Sequence, residues 1–193
     1  LYGPEEYLRD RYTEKLVQLC LPEGDTGFGY TKLDFASPDL IALEQTVNSM
    51  PFLTERTYVE IRNADLNKMK DSETEELTRI LSDIPEFCTV CIILGGEYEP
   101  DNRKKLIKFL QKTAVSIKFT HQAQGQLIEW ITRRFAAQKK SISMEAAQRL
   151  IFISGDIMSK LIPEIEKIAA YSKGASVTLE EINTIANHIP EAD

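Results

Sequence analysis

The sequence is poor in the side chains that most often carry chemistry. Its 193 residues include two histidines, one tryptophan and three cysteines. With His121 and His188 as the sole imidazoles, there is little material for a histidine-rich metal site or a nucleophile–base pair. Cys20, Cys88 and Cys91 cannot close a disulfide framework. Cys88 and Cys91 form a C-x-x-C, but they sit in an apolar run, Cys88 to Leu94, that reads as a buried strand. Positions i and i+3 of a strand face opposite sides, so these thiols are expected in the core and not on a shared metal or redox centre. Free thiols point to the cytoplasm. No run of about 18 apolar residues occurs, so no membrane span is expected. The opening Leu1-Tyr2-Gly3 has no Met, basic region or cleavage site and is not read as a signal peptide. It reads as part of a strand whose earlier residues lie outside the sequence. Basic residues (23) are outnumbered by acidic ones (30), giving a net charge of −7. That excludes a surface built to coat nucleic acid, though not a local basic patch.

What is present is ordinary for a globular chain: 42% hydrophobic and 27% charged residues, at a length suited to one large or two smaller domains. Apolar residues at helical spacing run from Pro4 to Leu21, with Pro22 just beyond. Gly24, Gly27 and Gly29 read as a loop, then Tyr30 to Phe35 alternates as a short strand. Ser37-Pro38 is a good N-cap and first turn for a helix to about Ser49, which Met50-Pro51 breaks. Arg56 to Arg62 alternates as a strand, and Asp71 or Ser72 caps a helix to about Asp83. Thr89 to Leu94 suits a strand covered on both faces, closed by Gly95-Gly96. Asp101 to Thr113 reads as a basic amphipathic helix and Val115 to Phe119 as a last strand. Strict alternation of strand and helix implies an α/β unit with a five-stranded parallel sheet over residues 1–121. Beyond it the pattern is helical only: Gln126 to Gln138, Ser143 to Ile153, Asp156 to Ser172 around Pro163, and a capping box at Thr178 opening a helix that ends near His188. Residues 122–193 are therefore expected to form a small all-helical domain, with Trp130 in its core.

Such an architecture suits a P-loop ATPase, which needs G-x-x-x-x-G-K-[ST] after its first strand. Here that turn reads Leu1-Tyr2-Gly3-Pro4-Glu5-Glu6-Tyr7-Leu8. It has no lysine and a single glycine, and two carboxylates stand where phosphate would lie. They suit the helix N-terminus and repel a nucleotide. The third strand, which should end in a magnesium-binding acidic pair, ends Ile61-Arg62-Asn63-Ala64-Asp65. Gly24-Asp-Thr-Gly27-Phe-Gly29 precedes a strand and is a weak nucleotide signal. No catalytic residues, cofactor or metal are expected.

Taken together, the Leu1–Leu8 turn, the Ser49-Met50-Pro51-Phe52-Leu53-Thr54-Glu55-Arg56 segment and Asp101-Asn102-Arg103-Lys104-Lys105 resemble the delta-subunit family of the bacterial DNA polymerase III clamp loader. Gly155-Asp156, Glu164 to Ala169 and Val177 to Ile182 extend the resemblance over nearly the whole chain. The resemblance implies an AAA+-like domain without a functional P-loop, a helical lid, and a C-terminal collar that is absent from a chain ending at Asp193. Met158 stands where ATP-using relatives carry an arginine, in keeping with a subunit that does not hydrolyse. The family function is to bind the beta sliding clamp and open its ring for loading onto primed DNA, within the polymerase III holoenzyme and beside the tau/gamma and delta prime subunits.

Large apolar residues between polar flanks at a helix end suit a protruding anchor. By resemblance, Met50, Phe52 and Leu53 match the clamp-binding element; the plain alternative is that they close the core. Arg103, Lys104 and Lys105, with Lys108, form a basic helix face, as do Arg133, Arg134, Lys139 and Lys140; these are either a solvated surface or DNA phosphate contacts. Two other classes stay open: an ATPase with a degenerate nucleotide site, and a DNA-binding adaptor.

Overall fold

The computed structural model describes residues 1–21, 26–96 and 98–186. The chain divides into two compact units, Leu1–Thr120 and His121–Asp193.

In the first unit, helix α1 (Glu6–Cys20) leads to a one-turn helix α2 (Thr26–Gly29) and strand β1 (Tyr30–Asp34). Helix α3 (Leu40–Asn48), strand β2 (Thr57–Arg62), helix α4 (Asp71–Ser82), strand β3 (Cys88–Ile93) and helix α5 (Lys105–Thr113) follow. The strands pair in parallel in the order β1-β2-β3. Tyr30 stands opposite Tyr58, and Thr57 opposite Cys88. Alternation along β2 sends its side chains to two faces. Val59 and Ile61 join Leu43 and Val47 of α3, Leu77 and Ile80 of α4, and Leu106 and Ile107 of α5. Tyr58 joins Leu21, Cys91, Ile93 and the half-buried Leu16, Val17 and Cys20 of α1. Each fully buried Leu, Ile or Val contributes on the order of 1.5–3 kcal/mol, so the three-helix face is the main source of stability. Cys88 packs in the first of these clusters and Cys91 in the second, on opposite sides of the sheet.

The expected five-stranded sheet is corrected to three strands. Leu1 and Tyr2 do lie along β3, with the Leu1 ammonium donating to Ile92 O at 2.7 Å and Leu94 N donating to Leu1 O at 2.9 Å. Tyr2 N donates to Ile117 O, and Phe119 N to Tyr2 O, but the pairing amounts to one bridge, Tyr2 to Lys118. A single bridge is too short to make either segment a strand, although Val115 to Phe119 alternates.

Caps differ from the expected ones. Asp39, not Ser37, caps α3, its carboxylate accepting from Ala42 N at 2.9 Å. The α4 cap position is Lys70, whose backbone N–H is taken by Glu73 at 2.9 Å. The helix expected from Asp101 starts at Lys105. Gly27 and Gly29 belong to α2 and not to a loop; Gly24 lies outside the described residues.

The second unit holds helices α6 (Gln124–Ala137), α7 (Met144–Ser154), α8 (Met158–Tyr171) and α9 (Leu179–Ile185) around Leu127, Ile131, Phe135, Leu150, Leu161, Ile165 and Ile182, all fully buried. It is not purely helical. Strands β4 (Ser141–Ile142) and β5 (Ser176–Val177) pair in parallel as a two-residue ribbon, too short to leave a periodicity in sequence. Thr178 accepts from Glu181 N and Glu181 accepts from Thr178 N, completing the capping box of α9. Pro163 sits inside α8, six residues into it. The expected helix end near His188 lies outside the described residues. Trp130 is half-buried, with the Arg134 guanidinium 5.7 Å from its ring centre, and is not a core residue. No helix among the described residues is long and apolar enough to cross a membrane.

Candidate functional site

Helix α3 turns one face to the core through Leu43 and Val47, leaving Ile41, Gln45 and Ser49 on the other. It cannot run past Asn48, because Pro51 disfavours helical backbone at Met50 and has no N–H to donate. Ser49 takes up extended backbone, and the chain bends through residues 50–56 before entering β2. At the bend Leu53 adopts a left-handed backbone, φ = 66°. That conformation costs a non-glycine residue roughly 1–2 kcal/mol.

The bend projects Met50, Phe52 and Leu53 into solvent at 78%, 69% and 65% exposure. The alternative that they close the core is therefore overturned. Burying each would be worth about 1.5–3 kcal/mol, so the fold forgoes several kcal/mol by holding all three outside. A fourth apolar side chain joins them. Phe28, on α2, is 59% exposed, and its ring meets Phe52 edge-on, centroids 6.4 Å apart at 67°. Between these rings and the end of α3 lies a cleft of about 330 Å³, bordered also by Met50, Gln45, Thr46 and Ser49. Sequence reasoning missed Phe28 because it lies among glycines in a segment that carries no periodicity. Its only signal was a large aromatic in an otherwise small-residue loop.

The basic candidates separate. Arg103 is held by Asp101, with Nε to Oδ1 at 2.9 Å and Nη2 to Oδ2 at 3.0 Å. That pairing keeps the Asp101 carboxyl down at about 2. Lys104 and Lys105 are exposed at the start of α5. The other expected basic group is dispersed: Arg134 faces Trp130 and Glu166, and the Lys140 ammonium donates to the Ser172 and Gly174 carbonyls, both at 2.6 Å.

At the turn before α1, Gly3 has φ = 111°, and a Cβ there would stand 2.3 Å from Phe119 O, so no other residue fits. Glu5 is buried at the α1 N-terminus, 1% exposed, while Glu6 faces solvent. Arg9 is buried beneath the same turn and donates from Nη1 to Gly3 O at 2.9 Å and Leu94 O at 3.3 Å. A buried acidic residue thus stands at the N-cap of α1, the helix end that in a phosphate-binding turn faces the anion. At the end of β2, Arg62 pairs with Glu60 at 2.5 Å and with Asp10 at 3.1 Å, and Asp65 pairs with Lys68. Met158 is buried at the start of α8. A larger cleft, about 590 Å³, opens along β3 and α5 and has no charged side chain in its lining.

Comparison with known proteins bears on the fold and the family. Residues 1–120 match the family described as DNA polymerase III, delta subunit. The DNA polymerase III subunit delta of Bacillus subtilis (strain 168) is 24% identical over 191 residues, covering 96% of this chain and 55% of that protein. Among solved structures, the Bacillus subtilis DNA clamp loader delta protein superposes with a TM-score of 0.64 at 20% identity, over 97% of this chain and 57% of that one. A variant of Thermotoga maritima RuvB gives 0.60 at 12% identity, over 96% and 59% of the two chains. At such identities these likenesses establish the fold alone. The chain spans little more than half the length of the relatives it matches.

Proposed function

The chain belongs to the DNA polymerase III delta subunit family, and from that premise we propose that it binds the beta sliding clamp through Met50, Phe52 and Leu53 and favours the open ring. The observation that carries this reading is the exposed apolar hook on a strained bend, since a monomeric surface has no reason of its own to keep it there. The hook enters an apolar pocket on one clamp protomer. Most of the interface energy then comes from these few anchors.

Opening follows from differential affinity. A ligand shifts an equilibrium only by binding one state better than the other. A hook whose pocket is fully accessible in the ring with one interface parted stabilises that ring without any hydrolysis. Burial of Glu5 at the α1 N-terminus and of Arg9 beneath the same turn supports a subunit that acts without hydrolysing ATP itself. Residues 1–121 would be the clamp-binding AAA+-like domain and residues 122–193 the lid. Tau/gamma and delta prime subunits would be its neighbours, and primed DNA the common substrate. Lys104 and Lys105 would add phosphate contacts in that assembly, with Arg103 restrained by Asp101.

A co-sedimentation assay with the cognate sliding clamp tests the reading against its rivals. Stable co-migration without nucleotide is expected. Failure to bind the clamp, together with magnesium-dependent binding of ATP or a gel shift of DNA alone at moderate salt, would replace it with a degenerate ATPase or a DNA-binding adaptor.

A further inference from the structure

We infer that Phe28 is a second docking residue, forming with Phe52 a two-ring wedge that enters the clamp as a unit; this rests on the clamp-binding reading of the hook. The two residues are 24 positions apart in sequence, yet their exposed rings meet edge-on. Gly29 explains why. It is buried, and a Cβ on it would lie 2.7 Å from Leu21 Cδ2, 3.1 Å from Arg56 O and 3.2 Å from Thr54 Cγ2. Helix α2 therefore closes directly on the backbone that leaves the hook, and it can do so only because residue 29 has no side chain. Phe28, the neighbour of Gly29, is thereby fixed against Phe52.

Two consequences follow for binding. First, Phe28, Phe52 and Met50 border one cleft and offer the partner a shared apolar surface. Second, Phe52 is partly ordered before binding, so less freedom is lost on docking. The cleft of about 330 Å³ between the rings and α3 has a polar side at Gln45, Thr46 and Ser49. It suits a clamp side chain with an apolar body and a hydrogen-bonding tip, received while the rings enter the clamp's own pocket. Edge-to-face is a preferred geometry for an aromatic pair, and a few large side chains filling a pocket carry most of an interface's energy.

The test is titration calorimetry of the whole chain against the cognate sliding clamp, with thermal melts of every variant. Phe28→Ala is expected to weaken binding by about tenfold at an unchanged melting temperature, and Phe28→Tyr to bind within about twofold of the parent. Combining Phe28→Ala with Phe52→Ala should cost less than the two losses multiplied, because each ring supports the other. Phe28→Gln removes the ring while keeping a long side chain on α2, and reads the same loss if alanine disturbs the turn. Should Phe28→Ala and Phe28→Gln bind like the parent while Phe52→Ala with Leu53→Ala does not, the inference fails and the hook stands. Parent-like binding by the Phe52→Ala, Leu53→Ala variant would instead remove the reading beneath it.

Discussion

At Leu53 the backbone sits at φ = 66°, a region glycine occupies freely and leucine does not. A residue selected only for the turn would be glycine. Leu53→Gly is therefore expected to change stability by less than about 1 kcal/mol, strain relief offsetting the entropy glycine gains in the unfolded chain. It should nonetheless weaken clamp binding severely. Chemical denaturation beside calorimetry measures the two effects separately. Arg9 makes the opposite case. It is buried under the turn that Gly3 and Glu5 form. Arg9→Ala leaves the Gly3 and Leu94 carbonyls short of a donor and removes a buried charge that faces Glu6 at 3.7 Å, at a cost of about 3 kcal/mol. Urea unfolding reads it directly. A third case is Asp101, whose carboxyl is held at about 2 first by the Arg103 side chain and then by the Arg103 backbone N–H. A depressed carboxyl pKa means the pairing is complete above the unfolded value of 3.8 and is lost as pH falls through about 2. At neutral pH Arg103 stays engaged. Asp101→Asn is expected to release it and to strengthen binding to primed DNA at low salt, whereas Arg103→Ala alone changes little; fluorescence anisotropy at two salt concentrations checks both.

At the scale of elements, the position of the hook depends on where α3 starts and stops. Asp39 satisfies its N-terminus, and Asp39→Ala should cost about 1 kcal/mol without altering the surface of the hook. A melt shifted down while clamp affinity is kept is the expected pair of results. The stop was legible in sequence, because Pro51 acts locally and in one direction. So were β2 and β3, whose residues alternate or run apolar for six positions. The rest was less legible for identifiable reasons. Ser37-Pro38 has good capping chemistry, but Asp39 lies nearer the first residue whose N–H needs a partner. Val115 to Phe119 alternates correctly yet pairs at one point only, since strand status depends on a neighbour's length and not on the segment itself. The β4–β5 ribbon is two residues deep and leaves no pattern. The place of Phe28 against Phe52 was hidden because it follows from Gly29 approaching Thr54 and Arg56, a tertiary contact no local window contains. That Met50, Phe52 and Leu53 stand in solvent was not decided by the residues alone, since large apolar side chains beside a helix end suit a core as well as a surface.

At the scale of the whole molecule, an α/β scaffold buries Glu5 and Arg9 at its first turn and holds three large apolar side chains exposed on the bend after α3. A chain with net charge −7 gains little from long-range attraction to DNA. Its grip on the clamp should then depend weakly on salt, because the anchors are apolar. The measurement that bears most directly on this claim is calorimetric titration of the cognate clamp with the parent chain and with Phe52→Ala, Leu53→Ala. Tight binding by the parent, loss of at least about a hundredfold in the variant, and matching melts are expected. Equal affinity of the two chains for the clamp would contradict the claim.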